Sequence, residues 1–212
     1  MLILKAAYLI SNPEVKNCPA PDRPEYAFIG RSNVGKSSLI NMLCGKQKLA
    51  KISGTPGKTQ LINHFEIESK AGDKKPLIKW YLVDLPGYGY AKVAQSKRST
   101  WEFMIRDYLV KRKNLLQVFV LIDSRHPPQK IDLEFVENLA HAQIPFSLVF
   151  TKSDKEKPGV VKRNVQSFSD ALLEKWQFLP QAFVTSAIKN TGKEEILELI
   201  SNFNKAFTEN RA

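Results

Sequence analysis

The sequence predicts an α/β domain, a doubly wound, mostly parallel sheet of six strands with helices on both faces. Two observations carry that prediction. From Tyr26 to the end of the chain, short apolar runs alternate with stretches of helical periodicity. Two of the runs, LLQVFVLID (115–123) and IPFSLVFT (144–151), are apolar at nearly every position, as strands covered on both faces are. In such a sheet ligands collect at the carboxyl ends of the strands.

In chain order, residues 1–22 form an N-terminal extension that closes on the Pro-rich CPAPDRPE and packs on the domain that follows, 23–212. YAFIG (26–30) is a buried strand ending in glycine, and Lys36 to Cys44 has helical character. Residues 45–60, rich in Lys and Gly, read as a long loop. INHFEIES (62–69) alternates as a strand does, AGDKKP turns the chain, and LIKWYLVD (77–84) is the next strand. Ser99 and Glu102 have the spacing of a capping box for a helix whose apolar set is Trp101, Met104, Ile105, Tyr108 and Leu109. Leu133, Val136, Leu139 and Ala140 mark one further helix, and Val161, Val165, Phe168 and Leu172 another. QAFVTS (181–186) is the last strand. Thr191 and Glu194 cap a final helix with Ile196, Leu199, Ile200, Phe203 and Phe207 inward.

The totals bound the function. A chain of 212 residues can bury a full core without staples, and two separated cysteines suit a reducing compartment. The short apolar start lacks a basic leader and a cleavage site, and no run approaches the length that spans a bilayer, so the expectation is a cytoplasmic protein with no membrane contact. The formal net charge of +11 points to a polyanionic partner such as nucleic acid. His64, His126 and His141 are isolated and read as surface or core residues.

The chemistry begins at GRSNVGKSS. Gly30-x-x-x-x-Gly35-Lys36-Ser37 is a complete phosphate-loop pattern in its required place, between a strand and a helix. Polyphosphate needs converging backbone N–H groups, which a glycine-rich turn and a helix N-terminus supply. Lys36 reaches the terminal phosphates and the Ser37 hydroxyl ligates Mg²⁺. The base is read at TKSD, Thr151-Lys152-Ser153-Asp154, on a strand end. A carboxylate at Asp154 accepts from both guanine N1–H and the exocyclic amine, which adenine cannot match, and the stem of Lys152 can lie over the base. The last strand ends in Thr185-Ser186-Ala187, suited to meeting guanine O6 by a backbone N–H. This pattern disfavours a metabolic P-loop kinase or ATPase.

Asp84 closes a strand and leads Asp-Leu85-Pro86-Gly87. The carboxylate suits the outer sphere of Mg²⁺, and the Gly87 N–H can reach a γ-phosphate. In TPGKTQ, Thr59 is preferred over Thr55 as the second Mg²⁺ ligand. Tyr88 stands where a water-orienting glutamine would serve hydrolysis, and a phenol does that poorly. This keeps open a scaffold that binds nucleotide without useful turnover.

GRSNVGKSSLIN, TPGKTQLIN, DLPGYGYAKV and TKSDK together resemble the EngB (YihA/YsxC) GTPases, of the Era- and TrmE-like branch of P-loop GTPases, across nearly the whole chain. The resemblance implies a Ras-like P-loop GTPase fold over 23–212. It implies a slow GTPase acting as a monomeric, nucleotide-switched assembly factor for the large ribosomal subunit, touching rRNA and ribosomal proteins, with a traditional link to cell division and septation. The GTP contacts it implies are Gly30, Arg31, Ser32, Asn33, Val34, Gly35, Lys36 and Ser37; Gly57, Lys58, Thr59, Gln60 and Leu61; Asp84 to Gly87; Thr151 to Asp154; and Thr185 to Ala187. Lys36, Asp84 and Gly87 are its catalytic set, and Ser37 and Thr59 its Mg²⁺ ligands. Asn33 is where some relatives hold K⁺; its other reading is as a shaper of the loop. Basic residues crowd the two switch regions, namely Lys46, Lys48, Lys51 and Lys58, then Lys92, Lys97, Arg98, Arg106, Lys111, Arg112 and Lys113. These are the expected contacts with RNA phosphates.

Overall fold

The structure, a computed structural model, describes residues 1–50, 61–89 and 95–209, with residues 95–101 described for the backbone alone. The strands are β1 (Leu2–Asn12), β2 (Glu25–Gly30), β3 (Ile62–Lys70), β4 (Ile78–Asp84), β5 (Leu115–Asp123), β6 (Phe146–Thr151) and β7 (Ala182–Val184). The helices are α1 (Lys36–Leu43), α2 (Gln95–Lys111), α3 (Lys130–His141), α4 (Pro158–Leu173) and α5 (Lys193–Glu209). They form one sheet in the order β1-β3-β4-β2-β5-β6-β7, parallel from β4 to β7 and antiparallel at β1 and β3.

The sheet therefore has seven strands rather than six. The additional strand is Leu2–Asn12, which pairs antiparallel with β3 from Leu2↔Lys70 to Asn12↔Ile62. Two register shifts, at Ile3/Lys5 and Tyr8/Ile10, break its two-residue alternation. It leaves Leu2, Leu4 and Tyr8 half-exposed. An edge strand of this kind carries no clean hydrophobic period to read. The second difference concerns α2, which is already helical at Gln95, four residues ahead of the expected cap at Ser99.

Period-two geometry divides the core. Tyr26 and Phe28 of β2 point to one face and pack with Leu39 and Ile40 of α1 and Ile196 and Ile200 of α5. Ala27 and Ile29 point to the other, with Tyr108 of α2, Val136 of α3 and Phe168 of α4. With all six of its residues buried, β2 is fixed on both sides. Its carboxyl end is therefore a rigid place from which to launch a loop.

At the opposite end of β2, Glu25 is fully buried and answered by several donors. Arg112 grips it in two-pronged fashion, Nε to Oε1 at 2.9 Å and Nη2 to Oε2 at 2.6 Å. The Tyr108 hydroxyl donates to Oε1, and His64 Nε2 stands 3.4 Å from Oε2. Arg112 is therefore not part of the basic surface: it is 8% exposed and ties the end of α2 to the sheet. Burial works to raise the Glu25 carboxyl, but His64 and Arg112 overcome it and hold the group at about 2.

Because that carboxyl lies below its unfolded value, its contribution to stability is complete above about pH 5 and lost as pH falls toward 2. Glu25→Gln should flatten this part of the acid unfolding curve. Arg112→Met leaves the carboxylate buried without its cation and should lower stability by about 3–5 kcal/mol in urea titration. A loss of under 1 kcal/mol would show that the pair does not anchor α2.

Candidate functional site

The carboxyl end of β2 delivers Gly30 into a loop that runs to the N-terminus of α1, and the expected site assembles around that loop. Gly35 is the N-cap of α1 at φ 106°, a left-handed value that disfavours a side chain. Asn33, exposed, is also left-handed at φ 61°. The Ser32 hydroxyl is buried and has no hydrogen-bond partner among the described residues. An unanswered donor in a turn at a helix N-terminus is what an anion would satisfy.

Lys36 opens α1 and contacts the carboxylate of Asp84 at the end of β4. Strand pairing sets this meeting, because β4 lies beside β2 with Phe28↔Asp84 in register. Burial pulls the Lys36 ammonium down, to about 7. Leu85 donates its N–H to Phe28 O at 3.0 Å, so Asp84-Leu85-Pro86-Gly87 leaves the sheet next to the phosphate loop, all four residues buried. Ser37 and Asp84 are both hard oxygen donors. That fits a Mg²⁺ ion, which takes one or two protein ligands and otherwise keeps water and phosphate oxygens. Gly57, Lys58, Thr59 and Gln60, with Thr55, lie outside the described residues. Leu61 is described and exposed.

The residues expected to read the base arrive from β6 and β7 and are tied to the phosphate loop. Thr151, 3% exposed, donates its hydroxyl to Val34 O at 2.6 Å, with Ile122 O at 3.2 Å. It thus ties the end of β6 to the phosphate loop. Lys152, left-handed at φ 61°, donates Nζ to Asn33 O at 2.5 Å and to Asp123 Oδ2 at 2.9 Å. Ser153 N–H bonds Thr185 O at 3.1 Å. Ser186 Oγ donates to Asp154 Oδ1 at 2.7 Å and lowers that carboxyl below its usual range. The second oxygen, Oδ2, has Lys155 Nζ at 3.6 Å. A cavity of about 170 Å³ lies among these groups, lined by Gly35, Ser38, Thr151, Lys152, Asp154, Thr185 and Ala187 with Leu39, Lys155 and Ile188.

Two further carboxylates lie at the site outside the motifs. Asp123, the last residue of β5, binds Arg125 and Lys152. Burial works to raise its carboxyl, but those two cations hold it at about 2. Its signal was available, an acid closing an apolar strand. Asp132, in the first turn of α3, accepts from the Tyr88 hydroxyl at 2.9 Å and lies 3.3 Å from Arg31 Nε. No sequence motif marks it. Tyr88 itself is 8% exposed, its ring stacked on Phe135 at 4.1 Å.

Of the basic residues, Lys46, Lys48, Arg106, Lys111 and Lys113 are exposed. Lys51, Lys58 and Lys92 and the side chains of Lys97 and Arg98 lie outside the described set. Among the described residues no helix is long and apolar enough to cross a membrane.

Residues 25–152 match the family described as 50S ribosome-binding GTPase. The chain is 54% identical over 205 residues to a probable GTP-binding protein EngB of Porphyromonas gingivalis, covering 97% of this chain and 98% of that one. Among solved structures it resembles a probable GTP-binding protein EngB, with TM-score 0.57 and 24% identity, over 86% of this chain and 99% of that one. It also resembles Era in complex with MgGDPNP and a segment of 16S ribosomal RNA, with TM-score 0.65 and 24% identity, over 84% of this chain and 55% of that one.

Proposed function

This chain belongs to the EngB family of P-loop GTPases, and on that premise we propose that it is a slow, nucleotide-switched assembly factor for the large ribosomal subunit. The observation that carries the reading is the tether between base and phosphate elements. Asp154 is fixed by Ser186, and Thr151 and Lys152 are fixed to Val34 and Asn33 of the phosphate loop. A guanine held at Asp154 therefore has its phosphates placed at Lys36.

The chain's own residues divide the hydrolysis of GTP to GDP and phosphate among them. Backbone N–H groups from Gly30 to Ser37 hold the phosphates, and Lys36 turns its charge toward the β- and γ-oxygens. Ser37, with Thr59 from the first switch, would hold Mg²⁺, with Asp84 in its outer sphere, and the ion would offset the charge developing on those oxygens. The Gly87 N–H contacts the γ-phosphate and distinguishes GTP from GDP. Because the Tyr88 hydroxyl is engaged by Asp132, it does not orient water, and intrinsic turnover is slow. K⁺ held by Asn33, whose backbone is left-handed in the loop, would supply the positive charge that an arginine finger supplies in other GTPases. Single-turnover hydrolysis should be faster in K⁺ than in Na⁺ at equal ionic strength, and equal rates would remove K⁺ from the account.

The partner reading rests on charge. The formal net charge is +11, and exposed Arg106, Lys111 and Lys113 sit on or just beyond α2, the helix that follows the second switch. Contact there with rRNA phosphates makes subunit binding depend on nucleotide, and it suits a monomer working in the cytoplasm. Co-sedimentation with large subunits should be strongest with a GTP analogue. Arg106→Glu with Lys113→Glu should weaken it and make it less sensitive to salt. Binding that is equal in GTP analogue, GDP and empty states would contradict a switched factor.

A further inference from the structure

We propose that Asp132 is a positioning residue for the nucleotide switch, a latch that takes the Tyr88 hydroxyl and so fixes the preceding Gly87 beside the phosphate loop. The inference rests on the reading above that Gly87 meets the γ-phosphate.

Asp132 is fully buried at the start of α3. A carboxylate in such a place is costly unless partnered. Both of its partners belong to segments that touch nucleotide. Tyr88 donates to Oδ1 at 2.9 Å, and Arg31 Nε of the phosphate loop lies 3.3 Å from the same oxygen. Oδ2 has no hydrogen-bond partner among the described residues, so these two contacts are what hold the group there. The backbones of the two partners also pair, as a parallel bridge between Arg31 and Tyr88. One carboxylate thus gathers the phosphate loop and the second switch at a single point.

The neighbours of Asp132 complete the grip. Phe135, one turn along α3, stacks on the Tyr88 ring at 4.1 Å with the planes 13° apart. Gly89 takes φ 78°, a left-handed value that disfavours a side chain, and Ile131 Cδ1 lies 2.7 Å from where a Cβ there would stand. Three residues of α3 therefore hold residues 88 and 89. Gly87 is one peptide away, and it meets GTP with little backbone freedom left to lose. This accounts for a tyrosine after Gly87: its ring and hydroxyl serve α3, and its main chain serves the phosphate.

GDP has no γ-phosphate for Gly87 to meet, so the latch should act on GTP alone. In the full-length protein, affinities for a non-hydrolysable GTP analogue and for GDP are compared in Tyr88→Phe, Asp132→Ala and the double variant, with thermal midpoints measured beside them. Each single variant should lose about tenfold in analogue affinity, the size of one hydrogen bond to a charged group, and under twofold in GDP affinity. The double variant should lose no more than the worse single, because both remove one contact. Asp132→Asn, which can still accept from Tyr88, should recover part of the loss. Equal losses for both nucleotides, no loss, or additive losses would each overturn the latch. Wild-type protein that binds neither nucleotide would defeat the reading of the site itself, which is a separate result.

Discussion

Two opposite charges, the part-buried Lys36 and the buried Asp84, are in contact where the phosphate loop meets α1, and the rest of the site is arranged around that pair. Each is costly alone in such a place and tolerable only while answered. Strand register brings them together: β2 ends at the loop that carries Lys36, and β4, paired beside it, ends at Asp84. On the proposed reading the nucleotide would supply phosphate oxygens to the lysine, and Mg²⁺ would supply positive charge to the carboxylate. Binding would then be an exchange of partners, with phosphate and metal needed together.

The two halves of the site differ in kind. The base half is assembled in advance, because Thr151, Lys152, Ser153 and Ser186 are hydrogen-bonded to one another's neighbours or to the phosphate loop. The phosphate half includes the segments proposed to report the nucleotide. Of these, the second switch is described as far as Gly89 and is anchored to α3 through Tyr88. Farther along, α2 is fixed at its carboxyl end by Arg112 on Glu25. A helix pinned at one end and led by a switch at the other can carry a change at the γ-phosphate to its exposed basic face.

What could be read from the sequence follows from how local each constraint is. The phosphate loop was legible because phosphate dictates residue types at fixed spacing between a strand and a helix. Asp154 and Ser186 were legible once their strands were recognised. Asp132 was not, since its partners are brought to it only by the packing of α3 on the sheet. Arg112 reads as one more surface base among Lys111 and Lys113 until the register of α2 turns it inward onto Glu25. Strand β1 was missed for want of an alternating pattern, its bulges letting Leu2, Leu4 and Tyr8 stay half-exposed.

The partner exchange at Lys36 and Asp84 is tested most directly by the affinity for a GTP analogue with and without Mg²⁺, in wild type and in Asp84→Asn. The account predicts that Mg²⁺ tightens binding strongly in wild type and little in the variant. It also predicts that without Mg²⁺ the variant binds at least as tightly as wild type, because Lys36 no longer has a carboxylate to leave. An equal gain from Mg²⁺ in both proteins, or metal-free binding weakened by the substitution, would contradict it.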